Sequence, residues 1–186
     1  HGESGGEYPT YGFYESDDLE KCIEHVQSKK NNEVIGLHGE SMGAAVSLIW
    51  AGKYDNKRIS FLIEDCGYSD LYELYYERLS DYKVPKFVRP VILYNTSFFC
   101  KIFAGFSSSD VSPIKNIAKM TIPVLFIHGN ADDFVPPEMA QEMFENKAVT
   151  REIYFAPGAG HAKDINIDVK RYDQVTAVFY GDLNKK

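Results

Sequence analysis

Four short apolar runs dominate this chain: "EVIGLHG" at 33–39, "RISFLIED" at 58–65, "PVLFIHG" at 123–129 and "REIYFAP" at 151–157. Each is too short for a helix and too continuously apolar for a strand with one wet face. Such runs fit strands buried on both sides, as in a parallel sheet. Helical patterns lie between them. Ser16 can cap a helix with Asp17 and Asp18 in its first turn and Lys29 and Lys30 in its last, and Leu19, Cys22, Ile23 and Val26 give it one stripe. "MGAAVSLIWAGKY" (42–54) and "PPEMAQEMFENK" (136–147) read as helices. A closing helix over 167–183 carries Val169, Tyr172, Val175 and Phe179 on one face. Strand–helix alternation of this kind predicts an α/β fold, a mostly parallel sheet flanked by helices.

Residues 66–122 break the rhythm. A structureless loop of that length is improbable in a compact domain. The stretch reads as a helical insertion with breaks at Pro85, Pro90, Gly105 and Pro113. The division expected is a core of 1–65 and 116–186 with a helical cap of 66–115. Tyr72, Tyr75, Tyr76, Phe98, Phe99 and Phe103 would line a pocket under that cap or form its own packing core.

The net charge of −7 argues against non-specific binding to nucleic acid or to an anionic membrane, and no apolar run reaches the length of a membrane span. Cys22, Cys66 and Cys100 are too widely spaced for a zinc pattern and too few for a disulfide framework. Free thiols in a reducing, cytoplasmic setting are the expectation, with Cys22 and Cys66 as small core residues. The chain opens at His1-Gly2, in turn chemistry and without Met, so a preceding segment is expected.

Two stretches carry G-x-S-x-G: "GESGG" around Ser4 and "GESMG" around Ser41. A serine nucleophile needs a strand before it and a helix after it, with glycines that let the backbone crowd together at the sharp turn. Ser41 has that context. Ser4 does not, because Glu7-Tyr8-Pro9 follows it and starts no helix, so Ser4 reads as a turn residue. The N–H of Met42 falls at the start of the following helix, where it can serve as an oxyanion donor.

A serine needs a base, and the base an orienting acid. His25 lies within a surface helix, His38 and His128 end strands, and His1 is terminal. His161, in the Gly-rich "PGAGHAKD" after the last strand, is the candidate base. Asp132 and Asp133, just after the third strand, are the candidate acids in the chain order Ser, Asp, His.

"GESMG" at 39–43, "PVLFIHGNADDFVPPEMA" at 123–140 and "PGAGHA" at 157–162 together resemble the α/β-hydrolase superfamily, of the single-domain serine esterase or acyl-hydrolase type. The resemblance covers nearly the whole chain and corresponds to the C-terminal two-thirds of such proteins. In that superfamily H-G-x-x-D-x-x-V-P carries the acid. Here that motif falls on His128, Gly129, Asp132, Val135 and Pro136, which selects Asp132 over Asp133. "HGESGG" resembles the turn that ends an earlier strand in these proteins.

The resemblance implies Ser41, His161 and Asp132 acting on an ester or related acyl bond of a small molecule, with Met42 in the oxyanion hole and no metal or organic cofactor. The second oxyanion donor, and the strand beside 33–38, would come from upstream. Val34-Ile35-Gly36-Leu37 would then be an edge open to another chain or segment. The same triad serves peptidases and acyltransferases, and a hydrolase scaffold can also carry a non-catalytic binding module or persist as a fragment.

Overall fold

The computed structural model describes residues 3, 5, 6, 8–29, 34–54 and 56–183. Ser4 and His1 therefore lie outside the described residues.

The chain runs α1 (Glu15–Lys29), β1 (Gly36–Glu40), α2 (Met42–Lys53), β2 (Phe61–Asp65), α3 (Leu71–Arg78), α4 (Arg89–Ala104), α5 (Ile114–Ile117), β3 (Val124–Gly129), α6 (Pro137–Asn146), β4 (Arg151–Ala156), α7 (Asp164–Ile167) and α8 (Val169–Leu183). The strands form one sheet in the order β1-β2-β3-β4, every pair parallel. The register sets Glu40 beside Asp65 and Asp65 beside Ile127, so β1, β2 and β3 end close together at their C-terminal tips.

Alternation along the strands explains the two layers. Leu62, Val124 and Phe126 pack with Leu48, Trp50, Ile117 and Met143 on the face covered by α1, α2, α5 and α6. Ile63, Leu125 and Ile127 turn to the other face and meet Tyr172 and Phe179 of α8. A third cluster, with Ala45, Leu71, Leu74, Phe106, Val111 and Val135, seats the 66–122 segment against α2 and the loop after β3.

Several local readings need correction. Thr10, not Ser16, caps the first helical turns: its Oγ1 accepts the Tyr14 N–H at 2.9 Å, while the Glu15 carboxylate accepts the N–H groups of Thr10 and Gly12. Ser16 is already inside α1 and buried. The buried stripe of α1 is also rotated. Ser16, Glu20 and Ile23 face inward, whereas Cys22 and Val26 are exposed. The cause is Glu20, whose carboxylate accepts the Trp50 Nε1–H at 2.8 Å and pairs with the Arg58 guanidinium at 2.6 Å. A carboxylate with two such donors is satisfied inside, and the helix turns to bring it there.

Pro90 begins rather than breaks a helix, since it lies in the first turn of α4, where a missing N–H has no effect. Gly105 ends α4 in the left-handed conformation, φ 75°. The strand expected over 33–39 is observed from Gly36, and position 33 is outside the described residues.

Candidate active site

Ser41 stands at the tip of β1, between that strand and α2. Its φ of 52° and ψ of −115° are unusual for a residue with a side chain and hold it in a sharp turn. Two contacts impose the turn. The Ser41 N–H donates to the Asp65 carbonyl at 2.8 Å, and the Ser41 carbonyl accepts from Ala44 and Ala45 as α2 begins. Gly39 permits it: a Cβ there would lie 2.3 Å from the Gly43 carbonyl oxygen. At Gly43 a Cβ would meet open space, so only the first of the two flanking glycines is required by crowding. Met42 is the first residue of α2, and its N–H belongs to the turn that has no intrahelical acceptor.

The two other motifs meet this turn because their loops are tied to each other. Gly129, at the end of β3, approaches the Ala159 carbonyl so closely that a Cβ would sit 2.3 Å from it. Ala131 N–H donates to that same carbonyl at 3.0 Å, and Gly158 N–H donates to Asn130 Oδ1 at 2.7 Å. These contacts align Asp132 with His161. Ser41 Oγ lies 2.8 Å from His161 Nε2, and His161 Nδ1 lies 2.7 Å from Asp132 Oδ2. The structure thus brings together all three residues singled out from the sequence. Asp133 is exposed; its backbone carbonyl accepts from Arg78.

Asp132 is buried, which by itself raises its carboxyl, yet four donors reverse the effect. His128 and His161 donate from their rings, and the Val135 and Phe134 N–H groups donate to Oδ1 at 2.9 Å each. The carboxyl is held well below the usual range, so Asp132 is an anion.

His128 carries more of the site than its place at a strand end suggests. It is wholly buried, with Nε2 2.9 Å from the Val135 carbonyl and 3.3 Å from Asp132 Oδ2. Both neighbours are acceptors, so Nε2 carries the proton. Phe134 was also missed: its ring lies 5.0 Å from the His161 ring and within 5.8 Å of the Arg78 guanidinium. His38 is half exposed and meets the Tyr172 hydroxyl at 2.9 Å.

Beneath the site three acids end or face β2. Glu64 accepts the Gly67 N–H at 2.6 Å, and burial pushes its carboxyl well up. Asp65 accepts the Tyr172 hydroxyl at 2.6 Å. Asp164, just beyond the His161 loop, is buried against Asp65; burial and then that neighbour push it up to about 8. The signal for this group was "FLIED", two acids closing an apolar strand. Donor atoms of Cys66, Asp132 and His161 lie within 4.8 Å of one another, as do those of Asp65, Cys66 and Asp164. Both sets depend on Cys66, whose thiol is pushed up by burial and the Asp65 charge, away from the thiolate a metal would need.

A cavity of about 470 Å³ opens beside Phe134, between α3 and α4, with Leu71, Tyr75, Arg78, Leu93 and Cys100 in its walls. Of the aromatics expected there, Tyr75 alone takes part. Tyr72 and Tyr76 stack on each other, and Phe98, Phe99 and Phe103 point outward.

The family model described as serine hydrolase (FSH1) matches residues 7–162. The chain is 35% identical over 186 residues to the uncharacterized protein YqkD of Bacillus subtilis (strain 168); the match covers 99% of this chain and 60% of that protein's length. Among solved structures, the Pyrococcus furiosus esterase Pf2001 superposes with a TM-score of 0.72 at 24% identity, covering 98% of this chain and 67% of the esterase. The Exiguobacterium antarcticum esterase EaEST superposes with a TM-score of 0.63 at 18% identity, covering 97% of this chain and 78% of that one. At these identities the likeness is one of α/β-hydrolase fold.

Proposed function

The chain belongs to the serine hydrolase (FSH1) family, and from that premise we propose that it hydrolyses a carboxylic ester through Ser41, His161 and Asp132. The observation that carries the reading is the continuous hydrogen-bond path, Ser41 Oγ to His161 Nε2 at 2.8 Å and His161 Nδ1 to Asp132 Oδ2 at 2.7 Å.

The chemistry follows from those contacts. His161 Nε2 takes the hydroxyl proton as Ser41 Oγ attacks the acyl carbonyl, and the Asp132 anion stabilises the imidazolium that forms. The Met42 N–H, at the positive end of α2, donates to the oxygen that becomes negative. The imidazolium then gives its proton to the departing alcohol, leaving the acyl group on Ser41. Water, deprotonated by His161, attacks that ester and releases the acid. The largely apolar cavity next to Phe134 favours an ester with an apolar acyl group over a peptide.

The test is a comparison of the protein with Ser41→Ala on short p-nitrophenyl esters, together with labelling by a fluorophosphonate. Turnover and a label on Ser41, both lost in the variant, are expected. Equal turnover by the two proteins overturns the assignment.

A further inference from the structure

Helix α4 is apolar on two sides. Leu93, Thr96, Ser97 and Cys100, at helical spacing, face inward and wall the cavity. Away from that stripe Val91, Tyr94, Phe98, Phe99, Ile102 and Phe103 are exposed, and the lead-in adds Phe87 and, at the rim of the cavity, Tyr82; Phe87 is 83% exposed and Phe103 70%. Exposed apolar surface this concentrated marks an interaction site.

Its charge is unlike that of the rest of the chain. Residues 82–109 contain no Asp or Glu, and Lys83, Lys86, Arg89 and Lys101 fall among them. A chain with 27 acidic residues in 186 would carry about four in a stretch this long. Arg89 is buried and donates to the carbonyls of Val84 and Tyr76, and Lys101 pairs with Asp110 at 3.3 Å. Lys83 and Lys86 are exposed beside Tyr82 and Phe87. The net charge of −7 conceals this local excess.

We propose that the outer face of α4 with its lead-in, residues 82–103, docks on an anionic lipid surface. A row of aromatic and branched side chains next to exposed lysines is the composition of a helix lying in a membrane interface, its rings among acyl chains and its cations at the phosphates. The helix lies on the surface rather than through it, since no described helix is long and apolar enough to cross a membrane. A second copy of the chain fits less well. A two-fold contact would set this patch against itself, bringing Lys83 and Lys86 towards their own counterparts, and lysine is depleted from interface cores. Docking would put the cavity one helix diameter from the lipid, about 10 Å. That a bound lipid ester is then the substrate rests on the serine-hydrolase reading; the docking itself does not.

The experiment is co-sedimentation of the protein with vesicles of phosphatidylglycerol and phosphatidylcholine in equal parts, and with phosphatidylcholine alone. Binding to the anionic vesicles that weakens with salt is expected. Lys83→Gln/Lys86→Gln should weaken it about 25-fold, roughly five-fold per lysine, and Phe98→Ser/Phe103→Ser should remove it. Both double variants change exposed side chains, and thermal melts matching the parent confirm that they fold. Ser41→Ala should bind like the parent, so a failure of the hydrolase reading leaves this result intact. Absence of binding to anionic vesicles, or equal binding by both double variants and the parent, overturns the proposal. So does a stable dimer in light scattering that Phe98→Ser/Phe103→Ser dissociates and that ignores vesicles.

Discussion

His128 Nε2 lies 3.3 Å from Asp132 Oδ2 and 2.9 Å from the Val135 carbonyl, four residues and seven residues away in the chain. One proton thus serves the acid of the site and the loop that follows it. His128→Phe keeps a ring of similar size and removes the donor. A bond to a charged acceptor is worth roughly 1.5–3 kcal/mol, so kcat/KM on an ester should fall about ten- to a hundred-fold with the unfolding midpoint lowered. Full activity in this variant would show that the other three donors hold Asp132 unaided.

Ser41 holds a backbone conformation that costs on the order of 1–3 kcal/mol for a residue with a side chain. Ser41→Gly should relieve it. For a chain of this length, roughly 2–4 °C of melting temperature accompanies each kcal/mol, so the variant should melt a few degrees higher while hydrolysing nothing. A lower Tm in calorimetry would mean that the hydroxyl contact with His161 outweighs the strain.

The two glycines flanking Ser41 should behave in opposite ways. Gly39→Ala forces a Cβ against the Gly43 carbonyl at 2.3 Å and must push α2 away from β1; loss of several kcal/mol and of activity is expected. Gly43→Ala meets nothing and gains helix propensity, about 1 kcal/mol. Denaturant titrations of the pair decide it, and equal losses would place the crowding elsewhere.

Asp164 makes stability depend on pH. Its carboxyl is pushed up to about 8 in the fold, by burial first and by Asp65 second, while the unfolded chain titrates near the ordinary 3.8. Between those values the folded state keeps a proton that the unfolded chain has released, so stability falls as pH rises from about 4 to about 8 and is level above. Asp65 is displaced the other way, its burial outweighed by the hydrogen bond from the Tyr172 hydroxyl and by the neighbouring His38 and Asp164 side chains. Its contribution is present above pH 4 and is lost in acid. Asp164→Asn should therefore gain on the parent between pH 5 and pH 8, by on the order of 1 kcal/mol or more. A constant difference in urea unfolding across that range contradicts the assignment.

Strand β1 pairs with β2 and with no other strand among the described residues. Its outer edge has neither proline nor lysine to discourage a neighbour. We further propose that another polypeptide segment pairs there rather than along β4. Slow amide exchange at positions 36–40 in the assembled form is the expected outcome. A monomer of 21.1 kDa whose β1 amides exchange as quickly as an open edge would refute it.

The sheet and the turn at Ser41 were legible because each obeys a local rule. Short runs such as "PVLFIHG" leave few alternatives to a buried strand, and G-x-S-x-G means little until a strand and a helix flank it. What escaped depended on partners that no local pattern names. The stripe on α1 turned because Glu20 finds Trp50 and Arg58, thirty and thirty-eight residues away. His128 looked like a strand end because its acceptors lie in a loop whose path no pattern gives. Phe98, Phe99 and Phe103 read as pocket lining or cap core, whereas they are exposed, because a helix with apolar residues all round does not say which side faces in.

The contact between Glu20 and Trp50 also has an optical consequence. Trp50 is the chain's one tryptophan, fully buried, with a carboxylate 2.8 Å from its indole nitrogen and a guanidinium over its ring. Its ultraviolet emission therefore reports from a single seam, where α1 meets α2 and Arg58. Any departure of α1 from that seam wets the indole and shifts the emission to the red, even while the Ser41 turn stays folded. The molecule thus carries a fluorescent gauge of how firmly its first helix is attached.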